Sequence, residues 1–208
     1  MQFLQFVQFL RFLPRARRVA APLSRQGLGL RASRERPGAG AWARASQGLI
    51  FGDAGVAAVD AMCQAEASAA ALPGTYLAWL STSTVNAKDR LGSDGPWFNT
   101  RGQRIARSLD DLTDGVLENP ITYDAAGGGP PSPPYNLWPY TGTQADGTAA
   151  AGMTCGDWTV TTGGVGLTGY ADRTSDQWTN FNDRGCDGQL NADETGYVGR
   201  AVYCFQVP

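Results

Sequence analysis

The sequence predicts a loop-rich α+β domain, a mixed or antiparallel sheet with one or two helices, braced by two disulfides. Three observations lead there. Four cysteines, at 63, 155, 186 and 204, stand in a chain of 208 residues that contains no histidine. A single Ala-rich stretch is followed by short apolar runs cut by Gly, Thr and Pro. No alternation of strands and helices appears, which disfavours a parallel doubly wound sheet. Cysteines in this number belong to an oxidising compartment, so a secreted or cell-surface location is expected.

The charge is divided unevenly. Residues 1–44 hold nine arginines against the single acid Glu35, a formal +8, whereas residues 45–208 hold eight basic and eighteen acidic side chains, a formal −10. The first segment reads as an Arg-rich leader or disordered tail and the second as the folded domain. Within the leader, Phe3, Leu4, Phe6, Val7, Phe9, Leu10, Phe12 and Leu13 recur at helical spacing. The run is too short to span a bilayer and lacks the basic start of a secretory signal. Membrane contact, if any, is expected through this segment alone, as an interfacial amphipathic helix. The acidic, Lys-poor body disfavours nucleic acid, whose phosphates need a basic face.

Along the body, Ser46 or Asp53 is placed to cap a helix through DAGVAAVDAMCQAEASAAAL, stopped by Pro73-Gly74. Val56, Val59, Met62, Cys63 and Ala67 share a face, so Cys63 is expected to point inward. TYLAWLS, ending at Ser81, reads as a buried strand, followed by a helical turn near Thr84–Leu91. PWFNTRGQRIA is a hairpin turning at Gly102, and Ser108–Leu112 a capped single turn. The stretch DAAGGGPPSPP, 124–134, cannot enter a sheet interior. NLWPYTG and DWTVTT are expected to be short strands and Tyr197–Val207 the last one.

The four cysteines permit three pairings, and spacing alone does not choose among them. A Cys₄ zinc site is disfavoured, because no C-x₂-C or C-x₄-C pair occurs.

The order of a Cys-bearing helix, a WLS strand, then Cys155, Trp178, Cys186 and Cys204 resembles the C-type lectin-like fold. More closely, LPGTYLAWLS, DRL, DDLTDGVLENPI, YTGTQADGT, CGDWT and YCFQ resemble a group of uncharacterised bacterial secreted or surface domains in the endostatin-like branch of that fold. The resemblance spans residues 49–208 and is absent from 1–44. It implies that Cys63 pairs with Cys204 and that Cys155 and Cys186 close a long-loop region. The usual first strand of such domains is represented only by SQGLIF, 46–51. The calcium-dependent sugar triplets of the fold do not transfer: Glu118-Asn119-Pro120 has the letters in the wrong order, and Trp178-Thr179-Asn180 with Asn182-Asp183 does not match. Endostatin's zinc site rests on histidines, which this chain lacks.

Other candidate chemistry lies in three places. DRGCDGQLNADE, 183–194, has the register of a twelve-residue calcium loop, with Asp183, Asp187, Gln189, Asn191 and Glu194 at ligand positions. Gly185 stands where an oxygen ligand is usual, and an acidic solvated loop is the simpler reading; calcium is the one cofactor the sequence admits. Gly164-x-Gly166-x-x-Gly169 fits a dinucleotide pattern, but no helix follows it to hold a pyrophosphate, so the glycines read as loop flexibility. The pairs Asp110-Asp111 and Asp193-Glu194 are the only parts for a glycosidase-like alternative, and no histidine or G-x-S-x-G element supports a nucleophile.

Among the aromatics, Trp79 and Trp158 read as core. Tyr135, Trp138 and Tyr140, beside the Pro-rich loop, and Trp178 in the long-loop region are the candidates to meet a ligand. The reading that unites these features is a non-catalytic recognition or adhesion module that binds a glycan or an extracellular protein through its loops. The alternatives are an extracellular polysaccharide-acting enzyme using Asp/Glu pairs, and a structural surface or oligomerisation unit.

Overall fold

The central strand of the sheet, β1 (Ala41–Ala45, AWARA), lies among residues assigned from sequence to the leader. The structure, a computed structural model, describes residues 41–46, 50, 52–129, 137–187 and 199–208. The amphipathic stretch near the N-terminus, Tyr135, Gln189, Asn191, Asp193 and Glu194 fall outside the described residues. The domain boundary expected at residue 45 is therefore too late. β1 runs parallel to β3 (Trp97–Asn99) and antiparallel to β7 (Tyr203–Val207). With β2 (Thr75–Ala78) and β4 (Arg104–Ala106) they form a mixed five-stranded sheet in the order β2-β7-β1-β3-β4. Of SQGLIF only Ser46 and Ile50 are described, and Ile50 makes an isolated bridge with Arg200.

Small side chains at Ala43 and Ala45 let β1 sit between two strands, and Arg44 between them is fully buried. Its guanidinium pairs with Glu66, donates to the Cys63 carbonyl and lies 5.7 Å from the Tyr76 ring centre. A buried cation needs such partners, since desolvation alone would expel it. One arginine of the supposed leader is thus a core residue.

Helix α1 (Val56–Ala69) buries Val59, Cys63 and Ala67 at i, i+4, i+8 spacing. Its N-cap is Gly55, at φ 75°, with no side-chain cap, so neither Ser46 nor Asp53 plays that part. On the opposite flank Asp60 and Gln64 face the outer edge of β2. Ala78 N–H donates to Asp60 Oδ1 (2.8 Å) and Tyr76 N–H to Gln64 Oε1 (2.9 Å). Arg90, at the end of α2 (Ala87–Arg90), pairs with Asp60 at 2.6 Å and donates to the Ala78 carbonyl. These side chains satisfy the groups that a sixth strand would otherwise bond. The far edge, β4, is covered likewise: Glu118 N–H donates to Ile105 O and Asn119 Nδ2 to Arg104 O, both at 2.9 Å. After the predicted hairpin, α3 (Leu109–Leu112) is capped by Ser108, whose hydroxyl accepts from Asp111 N–H at 3.2 Å.

Two apolar clusters fill the interior. One gathers Trp79, Trp97, Trp178, Tyr203 and Phe205; the other gathers Tyr76, Tyr140, Trp158, Val202 and all four cysteines. The disulfides are Cys63–Cys204 and Cys155–Cys186, with Cα atoms 5.5 and 5.6 Å apart. The first closes 141 residues and the second 31; in the chain-entropy account these loops are worth about 5 and about 4 kcal/mol. Two disulfides are consistent with a secreted protein, and among the described residues no helix is long and apolar enough to cross a membrane.

Three expectations fail in the long excursion and the segment before it. DWTVTT is not a strand. Cys155, Gly156, Asp157 and Trp158 have φ of 49°, 58°, 59° and 63°, a single left-handed turn that costs about 1–2 kcal/mol per non-glycine residue. The disulfide holds Cys155, Trp158 Nε1 donates to Ser81 O (2.8 Å), and the Asp157 carboxylate accepts from Ser83 N–H (2.6 Å) and Ser83 Oγ (2.7 Å). NLWPYTG yields only isolated bridges from Tyr140 to Thr168 and Val202. The strand sits instead in the glycine pattern: β5 (Val165–Thr168) pairs antiparallel with β6 (Asn182–Gly185). Its glycines serve close approach rather than flexibility. A Cβ at Gly166 would stand 2.8 Å from Cys155 Sγ and 2.9 Å from the Tyr140 ring, and one at Gly169 would stand 1.9 Å from the Trp178 carbonyl oxygen.

Candidate recognition face

The bare backbone of Gly166 admits the Tyr140 ring, and this removes Tyr140 from any ligand surface. Tyr140 is fully buried, packs 5.4 Å from Trp158, and donates its hydroxyl to Gly185 O at 2.5 Å. Trp178 is buried too, 5.3 Å from Trp79 and 5.6 Å from Tyr203. Both are core residues, and their expected exposure is corrected. The sequence marks them as aromatic but carries no sign of which way they face.

Trp138 remains, half-buried, and the backbone shows why it has company. Gly169 N–H donates to Pro139 O (2.9 Å) and Ala171 N–H to Leu137 O (2.8 Å), so the segment around Trp138 lies alongside the chain leaving β5. Tyr170, between those two donors, meets Trp138 edge-on with ring centres 6.3 Å apart. Phe181, whose N–H donates to Thr168 O at 2.7 Å, enters β6 with its ring 5.0 Å from Tyr170. Trp138, Tyr170 and Phe181 thus form a contiguous row of half-buried rings. Tyr170 and Phe181 were not singled out by sequence. Their only signal was position inside the Cys155–Cys186 excursion.

Guanidinium groups lie on this row. Arg184 is 5.0 Å and Arg200 5.8 Å from the Trp138 ring centre, and Arg173 is 4.8 Å from that of Tyr170. Arg184 projects from β6 directly opposite Gly166, the residue whose missing side chain opens that side of the ladder. Its Nη1 donates to Asp183 O at 2.9 Å, and its Nε is buried without an acceptor. Arg173, half-exposed, has the Asp172 carboxylate 3.5 Å away.

The remaining candidates are placed as follows. Asp183 is exposed in β6 opposite Leu167, within a regular ladder rather than at the start of a loop wrapped around a cation. Asp187 follows the disulfide-bonded Cys186, and the other three oxygen donors lie outside the described residues. Among the described residues no three His, Cys, Asp or Glu side chains converge to hold a metal ion. Asp111 is clamped by Arg107, whose side-chain and backbone N–H bonds hold its carboxyl below the usual range. It lines an open depression of about 460 Å³ with Arg107, Ser108, Asp110 and Asp114. Glu118 bonds Arg104 at 2.9 Å, so that triplet is structural. A smaller depression of about 190 Å³ is lined by Glu66, Ala69, Ala70, Ala125 and Ala126. Burial, eased a little by Arg44, pushes the Tyr76 hydroxyl up to about 12, so this group is neutral.

Fold and face together define a disulfide-braced α+β domain with a mixed sheet, carrying an aromatic row under arginines. Compared with known proteins, the chain matches no family model and no curated protein.

Proposed function

We propose that this domain is a non-catalytic recognition or adhesion module of C-type-lectin-like architecture, secreted or held at a cell surface. It binds a glycan or an extracellular protein through the face built from Trp138, Tyr170 and Phe181. The observation that carries the reading is the contiguous row of half-buried rings beside a hairpin anchored at both ends by Cys155–Cys186. Trp79, Trp97, Trp158 and Trp178 are fully buried, whereas Trp138, Tyr170 and Phe181 are half-buried side by side. Rings with one side packed and the other wet are what sugar and protein interfaces use as anchors. The crosslinks support the architecture: one joins the first helix to the last strand, as the resemblance implies, and the other closes the loop excursion.

The test is binding of the full chain to a glycan array and to immobilised extracellular-matrix proteins, with and without calcium. Tyr170→Ala/Phe181→Ala is the matched control. Retention by the parent chain and at least tenfold weaker retention by the double variant are expected. Silence on both surfaces, or equal retention of the two proteins, sinks the reading.

A further inference from the structure

Resting on that reading, we infer that the group met by this face is a carboxylate, and that the partner is an acidic polysaccharide bearing uronate units. A neutral sugar stacks its C–H face on an open ring face. Here Arg184 lies over Trp138 and the half-exposed Arg173 over Tyr170, while Arg200, also near Trp138, is fully buried beneath it. What the face presents is therefore the edge of a guanidinium laid on a ring, a planar set of donors with no acceptor.

Among the other described arginines, Arg101 lies on the Tyr123 ring at 4.0 Å and donates to Gly127 O, Arg200 is fully buried, and four are clamped by acids. Arg44, Arg90, Arg104 and Arg107 each pair with a carboxylate from elsewhere in the fold, Glu66, Asp60, Glu118 and Asp111 respectively. Arg184 has no ion pair among the described residues; its Nη1 bonds a neighbouring carbonyl and its Nε is buried, so Nη2 is the donor it offers outward. Arg173 touches only Asp172, its neighbour in sequence, at 3.5 Å with side chains 51% and 45% exposed. An ion pair so exposed is weak and readily exchanged for another anion. The planar guanidinium fork accepts a planar carboxylate through two parallel bonds, which selects uronate over a neutral hydroxyl-bearing sugar. Asp172 and Asp183 flank the face and are exposed. They keep its net charge low, so recognition depends on the fork geometry more than on bulk attraction and weakens with added salt.

The experiment measures binding of the full chain to polygalacturonate, dextran sulfate and dextran at low and physiological salt. Arg173→Gln/Arg184→Gln and Arg184→Lys are the variants, with near-ultraviolet circular dichroism as the check on folding. Polygalacturonate is expected to bind best and dextran not at all. The double variant should lose at least tenfold, and Arg184→Lys, which keeps the charge and loses the fork, should lose most of the same. Dextran binding equal to polygalacturonate overturns the inference and leaves the recognition role standing. So does a preference for dextran sulfate with Arg184→Lys unaffected, which is simple charge attraction. Binding to matrix protein alone also overturns it, whereas silence everywhere removes both readings.

Discussion

Arginine does opposite work in the two halves of this domain. Beside helix α1 it is an internal clip: Arg44 ties β1 to α1 through Glu66, and Arg90 ties α2 to α1 and β2 through Asp60. Around the β5–β6 hairpin it lies on aromatic rings, with Arg184 on Trp138 and Arg173 on Tyr170. The first arrangement consumes its hydrogen bonds inside the fold, while the second leaves donor edges to be used. Each half has its own disulfide, one binding the helix to the sheet and the other closing the excursion. On the proposed reading, holding the frame and meeting a ligand fall in different places, as expected when a rigid scaffold displays loops.

Removing Cys63 and Cys204 together breaks that division most severely, with an expected loss of about 5 kcal/mol measured by chemical denaturation. Removing Cys155 and Cys186 should cost about 4 kcal/mol and loosen the hairpin first. If amide exchange instead opens the sheet and hairpin together, the halves are not separable. Asp60→Ala strands Arg90 and the Ala78 N–H, and should cost about 3 kcal/mol with no effect on ligand binding.

Acid provides a gentler test. Bonds from Ser83 hold the Asp157 carboxyl below its usual range, and Thr148 does the same for Asp146. Because the folded form releases the proton more readily than the unfolded chain, this stabilisation is complete above the usual carboxylate range, roughly pH 4, and drains away as pH falls through the lowered folded value. Melting temperature should hold steady from neutrality to that point and then fall, and Asp157→Asn should flatten part of the fall. The smallest effect on stability is expected from Tyr170→Ala/Phe181→Ala, about 1–2 kcal/mol for two half-buried rings, although its effect on binding is the largest.

Much of the frame was legible because its signals are local. The helical face of Val59, Cys63 and Ala67, the hairpin at Gly102 and the Ser108 cap each rest on residues close in sequence. β1 was hidden because AWARA follows an arginine-rich stretch, and the burial of Arg44 depends on Glu66, which lies 22 residues away. The glycine pattern misled for a related reason. Whether Gly166 is a hinge or a place where sulfur and an aromatic ring press on backbone is decided by Cys155 and Tyr140. The candidate face is half legible: the sequence points to Trp138, but its neighbours Tyr170 and Phe181 reach it through hydrogen bonds between distant segments.

The way Asp60, Gln64 and Arg90 occupy the border of β2, matched by Glu118 and Asn119 along β4, restricts how this protein can meet anything. Recognition by adding an extended peptide to a sheet needs a row of vacant amides and carbonyls. On both margins of the five-stranded sheet part of that row is already bonded within the chain. An extended partner or a second copy is therefore less readily added as a sixth strand at either margin.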